Sequence, residues 1–584
     1  MRQVLHRFGG RRLLAIASAL ALAAIISSAA AGSNGNGSGN DRLARINHIV
    51  VIYEENHSFD NLYGGWEGVN GLANADAAHT IQMKQNGTTP YSCLYQDDVN
   101  LQPPAGATPC DTAVNGTAYA SLFGNAPFRI DDFIKPSDTT CPQPFQEFSR
   151  PNGWLKGQGT PGGCTRDIVH RFYQEQYQIN GGAQNEYVTG SDAAGLVMGY
   201  YNTKQLPIYK YLHGGGHPHY AVLDDFFQSA FGGSFLNHQW LIAAASPIDA
   251  SPAHAGLHSI LDRNGFPQLR YPPASNSGSV ILYQSPDTGL RDSNLTSLCP
   301  APKGLACGDY GVNTMQPFAQ PFGVFNPQLP AQTELTRPTI GDRLTASGID
   351  WAWYGGGWDN AAGNVGGPGW TNGNGPTCSD SSSFANPVYP YCPDRLFQFH
   401  HQPFAYYANY GPNTPGRVHL QDEVAFESLA NASSGDCNLK PVSFVKPIGE
   451  ENEHPGYASE SQGSNHLVDL LQMIENSSCA KDTMVVVTYD EFGGEWDHVP
   501  PPGQAGNPAA PGRADKWGPG TRIPTLIVSP FLRGQEVIDH MQYDTTSILA
   551  TIEQRYGLVP LSSRDAAVNS LSNVYDAKEF NNGG

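Results

Sequence analysis

The chain has 584 residues, of which 33 are Lys or Arg and 53 are Asp or Glu, so its formal net charge is −20. This excess of negative charge argues against nucleic acids and anionic membranes as partners that bind by electrostatic attraction. A phosphate-bearing ligand is not excluded, because a bound metal ion supplies local positive charge whatever the sign of the whole protein.

The N-terminal segment has the pattern of an export signal. A basic stretch, MRQVLHRFGGRR, precedes the apolar run LLAIASALALAAII and the small residues SSAAAG. The apolar run is too short to span a bilayer comfortably, which favours a cleaved signal peptide over residues 1–31. An uncleaved anchor is the alternative, and the pair Arg11 and Arg12 leaves a twin-arginine route open.

The residues after this signal predict a flexible leader over 32–44, because SNGNGSGN is rich in glycine, serine and asparagine. We therefore expect a periplasmic or secreted protein with no stable membrane insertion after cleavage of the signal.

Ten cysteines follow the signal, and an even number in an exported chain favours disulfides. None of them forms a CxxC pair, so zinc knuckles and thioredoxin chemistry have no support. Sequence proximity suggests four local pairs, although it does not fix their connectivity: Cys93–Cys110, Cys141–Cys164, Cys299–Cys307 and Cys378–Cys392.

Apolar runs that predict strands alternate with stretches that predict helices. The strand-like runs are HIVVIY (48–53), YAVLDDFF (220–227), SVILY (279–283), TMVVVTY (483–489) and TLIVSPF (525–531), and the helical stretches include 465–476 and 545–557. Continuous apolar strands between helices are typical of a mostly parallel sheet that is covered on both faces. We expect an α/β fold with long loop insertions, in a single catalytic domain over residues 45–584 because no composition break divides it.

Two of these strands end in oxygen-rich tips. The first is followed by Glu55 and Asn56, and the run TMVVVTY is followed by Asp490 and Glu491. Ligands of open α/β sheets bind beyond the carboxyl ends of the strands, so both tips are expected at one edge. Because crowded carboxylates repel each other, such a cluster predicts a divalent metal ion of undetermined identity. An acidic loop or a helix cap is the alternative for either tip alone.

The segments around these tips resemble a known family. ENHSFDNLYGG, DEFGGEWDHVPPP and WGPGTRIPTLIVSPF are similar to signatures of the bacterial phosphoesterase family that contains phospholipases C and acid phosphatases. The resemblance implies an alkaline-phosphatase-like fold. It also implies that Glu55, Asn56, Asp490 and Glu491 bind one divalent metal ion. Asp497 and His498 belong to the second signature, and we expect them to orient the loop below the acidic pair.

The segment FGGSFLNHQWLIAAASP at 231–247 resembles the part of the family that carries the nucleophile. The resemblance implies that Ser234 is the nucleophile and that Asn237 holds phosphoryl oxygens. The chemistry also makes sense from the residues, because two glycines allow a tight turn and a metal ion lowers the pKa of a neighbouring hydroxyl. A serine in an ordinary turn would be the alternative for GGS alone.

Three histidines lie in contexts that resemble the family. They are His170 in DIVHRFYQEQY, His454 in ENEHPGYAS, and His401 in FQFHHQPFAYY, where His400 remains an alternative. Such residues would bind the charged phosphoryl oxygens, and one of them would protonate the leaving alcohol.

The resemblance implies a hydrolase of phosphoric esters that works through a phosphoserine intermediate. We expect a phosphomonoesterase of the acid phosphatase type acting on soluble esters, because GGSFLNH and HHQPF look closer to that branch. A phospholipase C that acts on phospholipid head groups is the main alternative. A secreted metal-binding protein without catalysis is a further one, and a sulfatase is disfavoured because no CxPxR or SxPxR stretch is present.

Overall fold

The structure is a computed structural model, and it describes residues 38–102, 107–114, 117–144, 146–248, 312, 322–323, 326–330, 335–379 and 389–578. Its α-helices are Gly39–Leu43, Phe59–Leu62, Ala77–Thr80, Phe172–Ile179, Pro207–Leu212, Ser234–Ala243, Ile340–Ala346, Trp358–Ala362, Glu423–Asn431, Glu460–Glu475 and Thr546–Tyr556. Within these residues, no helix is both long and apolar enough to cross a bilayer.

The strands, in chain order, are β1 His48–Glu54, β2 Thr108–Val114, β3 Thr117–Ser121, β4 Phe128–Arg129, β5 Gly199–Tyr200, β6 Tyr220–Leu223, β7 Phe226–Phe227, β8 Phe322–Gly323, β9 Asn326–Pro330, β10 Trp351–Gly355, β11 Leu420–Asp422, β12 Val442–Lys446, β13 Thr483–Tyr489, β14 Thr525–Val528, β15 Glu536–Asp539 and β16 Tyr543–Asp544.

Eight strands form the central sheet in the order β11-β10-β12-β1-β13-β14-β6-β15. Only β14 runs antiparallel to its two neighbours, and the other strands of this sheet run in one direction. Strands β1 and β13 lie side by side in the middle and consist mainly of buried β-branched residues, which suit a sheet covered on both faces. The predicted α/β class is therefore confirmed.

Most buried apolar side chains belong to one continuous core cluster. The helices Glu460–Glu475 and Thr546–Tyr556 contribute to it and coincide with predicted helical stretches. Ser459 caps the first of them by accepting a hydrogen bond from the Gln462 N–H, which satisfies one of the free donors at that helix end. The predicted strand SVILY lies outside the described residues.

One expected boundary needs a correction. Within the predicted leader 32–44, Gly39–Leu43 form a helix, because Leu43 packs into the core and is only 1% exposed. The Gly39 N–H also donates a hydrogen bond of 2.9 Å to the Asp576 carboxylate. The segment before Ser38, with the predicted signal 1–31, lies outside the described residues.

Three of the suggested disulfides are present: Cys93–Cys110, Cys141–Cys164 and Cys378–Cys392. Cys437–Cys479 is a further one, which joins residues 42 positions apart. The suggested pair Cys299–Cys307 lies outside the described residues.

Candidate active site

The two predicted strand tips meet at the carboxyl edge of the sheet. Glu54 at the end of β1 pairs in register with Tyr489 at the end of β13, so the next residues of the two strands are neighbours. Asn56 has a φ of 71°, a left-handed conformation that is uncommon for a non-glycine residue and that turns the chain sharply after β1. The tips form what we call the oxygen cluster, which consists of Glu55, Asn56, Asp490 and Glu491.

Several oxygen atoms of this cluster are buried without a hydrogen-bond donor. They are both carboxylate oxygens of Glu55, Oδ1 of Asn56 and Oδ2 of Asp490. All four residues of the cluster are at most 1% exposed. Buried polar atoms are normally paired, since leaving one unpaired costs free energy. Unpaired acceptors of this kind fit a cation as their partner.

The nearest positive charge from the protein comes from β12. Lys446 at its end is fully buried, and its Nζ lies 2.8 Å from Glu55 Oε1. Nε2 of His401 lies 2.6 Å from the same oxygen, although neither contact has hydrogen-bond geometry. Burial raises the pKa of Glu55, but the neighbouring His401 and Lys446 outweigh it and hold the pKa well below its ordinary value. Glu55 is therefore ionised.

Asp490 lies in a more negative environment. Its burial and the charges of Glu55 and Glu491 raise its pKa well above the usual range for an aspartate. Glu55, Asp490 and His238 each offer one ligand atom, and these atoms lie within 4.8 Å of one another. The same holds for Glu55, His400 and His401. Groups that could bind a metal ion are thus present, and the unpaired oxygens of Glu55, Asn56 and Asp490 fit a divalent cation.

Two of the predicted histidines flank Asn56. Its Nδ2 lies 3.0 Å from Nε2 of His170 and 2.9 Å from Nε2 of His454. The Nδ1 atoms of these rings face the carbonyl groups of Ile168 and Pro455. Because the neutral His454 ring donates its Nδ1–H to the Pro455 carbonyl, its Nε2 accepts the Asn56 amide, which leaves Oδ1 of Asn56 for the oxygen cluster.

The two rings differ in charge. His170 Nε2 lies 2.9 Å from Glu491 Oε1. Burial lowers the pKa of His170, but the Glu491 charge outweighs it and raises the pKa to about 10. Burial lowers the pKa of His454, whose ring stacks on Tyr457 with centroids 4.1 Å apart. The site thus combines a positively charged imidazolium with a neutral imidazole.

Ser234 is the first residue of the helix Ser234–Ala243, and it is 2% exposed. Its Oγ–H donates to Glu491 Oε1 over 3.3 Å, the same oxygen that contacts His170. The second Glu491 oxygen accepts a 2.7 Å hydrogen bond from the Gly493 N–H. The structure therefore places the predicted nucleophile Ser234 in contact with Glu491, one of the predicted metal ligands.

The Asn237 side chain lies against the turn that carries Ser234 and is bonded to it. Its side-chain amide donates to the carbonyl groups of Ala230 and Gly232 over 3.0 and 3.2 Å, and its Oδ1 accepts the Ala230 N–H at 3.0 Å. Both ends of the amide are thus occupied by the turn that carries Ser234. In this conformation the Asn237 amide supports the turn, and its contact with phosphoryl oxygens stays a prediction.

Lys446 and His238 were not singled out from the sequence. His238 lies one helical turn after Ser234, its ring stacks on His401 with centroids 5.3 Å apart, and its buried Nε2 has no hydrogen-bond partner. The spacing of Ser234 and His238 in GGSFLNH could have indicated a shared helix face. Lys446 ends an ordinary apolar strand, which carries no local signal of a site.

Arg522 is another residue that the sequence reasoning missed. Its guanidinium contacts Asp60 and Asp497 over 3.2 Å each, and His498 Nδ1 lies 2.6 Å from Asp60. We call these four residues the Arg522 cluster. It joins the three segments that resemble family signatures, so Asp497 and His498 orient the loop below the acidic pair as expected.

The comparison with known protein families places this chain in one of them. The model of the Phosphoesterase family matches residues 46–559. The chain therefore belongs to the Phosphoesterase family, and the resemblance seen in the sequence is confirmed.

Individual proteins that are similar to this chain include two phospholipases C of Mycobacterium tuberculosis. Phospholipase C A of Mycobacterium tuberculosis is 23% identical over 564 residues, which cover 91% of this chain and 78% of that protein. Phospholipase C B of the same organism is 34% identical over 157 residues, which cover 24% of this chain and only 30% of that relative. Among solved structures, a protein of the alkaline phosphatase superfamily from Vibrio parahaemolyticus is 12% identical, with 64% of each chain covered and a TM-score of 0.24. A likeness this loose says nothing about the site.

Proposed function

We propose that the protein hydrolyses phosphoric esters through a covalent phosphoserine on Ser234. The observation that carries the proposal is the contact of the Ser234 Oγ–H with Glu491, beside the unpaired buried oxygens of Glu55, Asn56 and Asp490. A divalent ion held by the oxygen cluster would supply positive charge next to the serine hydroxyl and the phosphoryl group.

The residues of the chain account for the remaining steps. Glu491 takes the Ser234 proton as the bond from Oγ to phosphorus forms and the bond from phosphorus to the alcohol oxygen breaks. His170 and His454 flank the phosphoryl group, and one of them gives the departing alcohol its proton. Water then attacks phosphorus and gives its proton to the histidine that protonated the alcohol. The bond to Oγ breaks, Glu491 returns the proton to Ser234, and the phosphate product leaves.

A soluble phosphomonoester is the first substrate class that we propose, on the sequence features that favour the acid phosphatase branch. A phospholipid diester is the second, because relatives of this chain are phospholipases C. The two substrates share the phosphorus centre and the nucleophile, and they differ in whether the pocket accepts a second ester group. We also propose export to the periplasm or the medium, which the disulfides support.

The test is turnover of p-nitrophenyl phosphate and of p-nitrophenylphosphorylcholine, with and without a chelator. Ser234→Ala should lower turnover of the preferred substrate by at least about a thousandfold, since loss of a nucleophile removes the covalent route. Mass spectrometry of acid-quenched wild-type enzyme should find the phosphoryl group on Ser234. Wild-type turnover in Ser234→Ala would overturn the nucleophile, and a preference for the choline diester would select the phospholipase substrate.

A further inference from the structure

A buried carboxylate below the nucleophile turn has no part in the steps above. Glu175 lies in the helix Phe172–Ile179, which begins two residues after His170, and it is fully buried. Its Oε2 accepts a 2.5 Å hydrogen bond from the Gly232 N–H and a 2.9 Å bond from Gln228 Nε2. Its Oε1 accepts bonds of 2.7 and 2.9 Å from the N–H and hydroxyl of Thr521.

Every partner of this carboxylate is a donor. Burial raises the pKa of Glu175 to about 8, yet only the ionised form accepts from all four donors without presenting an O–H to one of them. A carboxylate that accepts several backbone N–H groups is a strong anchor, because hydrogen bonds to a charged group are shorter and stronger than neutral ones. Glu175 therefore ties its helix to the turn before Ser234 and to the segment around Thr521.

Gln228 extends this connection to the oxygen cluster. Its amide nitrogen donates to Glu175 and to the carbonyl groups of Ala230 and Gly232, while its Oε1 accepts the Phe492 N–H over 2.9 Å. Phe492 directly follows Glu491, whose carboxylate accepts the Ser234 hydroxyl. One side chain thus joins the turn that carries the nucleophile to the loop that carries its proton acceptor.

The turn has little freedom to compensate for a lost bond. Gly232 has a φ of 93°, and a Cβ there would lie 2.5 Å from the backbone nitrogen of Phe172. The turn is therefore pressed against the start of the helix that carries Glu175, in a conformation that favours glycine. Gly520 is packed as closely on the other side, since a Cβ there would lie 2.5 Å from Glu175 Oε1.

We propose that Glu175, acting through Gly232 and Gln228, is the positioning residue that sets the distance between Ser234 and Glu491. The inference rests on the proposed function, because it concerns the same nucleophile. Glu175 touches neither substrate nor metal ligands in this role. Binding of the phosphoryl group by the histidines and by an ion that the oxygen cluster would hold should then survive its loss, while in-line attack by Ser234 should not.

The test separates these two properties with two anions. Inorganic phosphate binds as a ground-state product, whereas orthovanadate adopts the five-coordinate geometry of the transition state and needs a correctly placed nucleophile. In Glu175→Gln, an N–H group would replace one of the acceptor oxygens. We expect kcat to fall by about tenfold or more and the inhibition constant for vanadate to rise in parallel, with KM and the inhibition constant for phosphate within about twofold of wild type.

Thr521→Val is the matched control, because it removes one bond from Oε1 and leaves the bonds of Oε2 to the turn. It should lower the melting temperature while kcat stays within about twofold of wild type. Gln228→Leu provides a second, independent variant that cuts the link to Phe492, and it should show the same selective loss of vanadate affinity. If Glu175→Gln does not fold, Gln228→Leu tests the proposal in its place.

Unchanged kcat and vanadate inhibition in the folded variants would overturn the inference. A lower yield of active enzyme with wild-type kinetics per active molecule would also overturn it, since that result defines a purely structural role. If the wild-type enzyme cleaves no phosphoric ester, the proposed function fails. If Ser234→Ala is inactive and Glu175→Gln is not impaired, only the positioning role fails.

Discussion

Two buried clusters contain carboxylates from the same two signature segments, but the carboxylates differ in the groups that surround them. In the Arg522 cluster, the guanidinium lies between Asp60 and Asp497, and the carboxylate oxygens all accept hydrogen bonds. In the oxygen cluster, carboxylates are equally buried, yet the oxygens of Glu55 and Oδ2 of Asp490 have no donor. Asp60, Asp497 and His498 of the first cluster are placed so that they could bind a metal ion, and so are Glu55 and Asp490 of the second together with His238.

The difference shows how the fold separates support from chemistry. A buried carboxylate needs a counter-charge, and the first cluster contains its own in Arg522. In the second cluster, Lys446 lies beside Glu55 and the charged His170 lies beside Glu491. The third carboxylate, Asp490, is disfavoured in its ionised form by burial and by the charges of Glu55 and Glu491. We conclude that the Arg522 cluster stabilises the loops, and we propose that the oxygen cluster binds a cation from solution.

The largest effect on stability is expected when the positive charge of Arg522 is removed. Arg522→Met leaves Asp60 and Asp497 buried without their counter-charge, so we expect the free energy of unfolding to fall by about 3–5 kcal/mol. Urea titration of the disulfide-intact protein measures this loss.

Arg513→Met is the control for the same change at a site that is not fully buried. Arg513 donates to the Ala567 carbonyl and to Asn569 over 2.9 and 2.7 Å, and its loss should cost only about 1 kcal/mol. Equal losses in the two variants would contradict the role assigned to Arg522.

The next effect concerns an ion pair on the helix Glu460–Glu475 and depends on pH. His466 Nε2 lies 2.9 Å from Glu423 Oε1. Burial lowers the pKa of His466, but Glu423, Glu451 and Glu54 outweigh it and raise the pKa to about 10. A raised histidine pKa contributes stability that is complete below the unfolded value of about 6.5 and is lost as the pH rises through the folded value.

His466→Gln should therefore lower the free energy of unfolding at pH 6 by about 1–3 kcal/mol, the usual range for a hydrogen bond to a charged group. The difference from wild type should shrink between pH 6.5 and 10, the window set by the two pKa values. Chemical denaturation at pH 6, 8 and 10 checks this. A difference that grows with pH would have the wrong sign for the account.

Whether a site residue could be predicted from the sequence depends on how far along the chain its partners lie. Glu55 and Asp490 were predictable, because a buried strand followed at once by acidic residues is a local pattern and parallel strands end at one edge. Lys446 and Arg522 were not, because their partners lie hundreds of positions away, as between Arg522 and Asp60. The bonds of Asn237 were not predictable for a related reason: the motif shows the residue type, but only the folded turn shows where both ends of its amide are bonded.

A smaller effect is expected when one carboxylate of the oxygen cluster is neutralised. In chelator, Asp490→Asn removes one of the crowded negative charges and keeps the side chain's size. Because burial, Glu55 and Glu491 disfavour the ionised Asp490, this variant should have a higher melting temperature than chelated wild type. Thermal unfolding in chelator measures the gain, and a loss of similar size would show that Asp490 is not electrostatically strained.

The most direct test of the oxygen cluster is the metal content of purified protein after dialysis, measured by elemental mass spectrometry in wild type, Glu55→Gln and Glu427→Gln. Glu427 is the matched control, since it belongs to a separate group with Glu423 and His466 that could bind a metal ion. The account predicts one divalent ion per chain in wild type and in Glu427→Gln, and none in Glu55→Gln. Wild-type metal content in Glu55→Gln would contradict it.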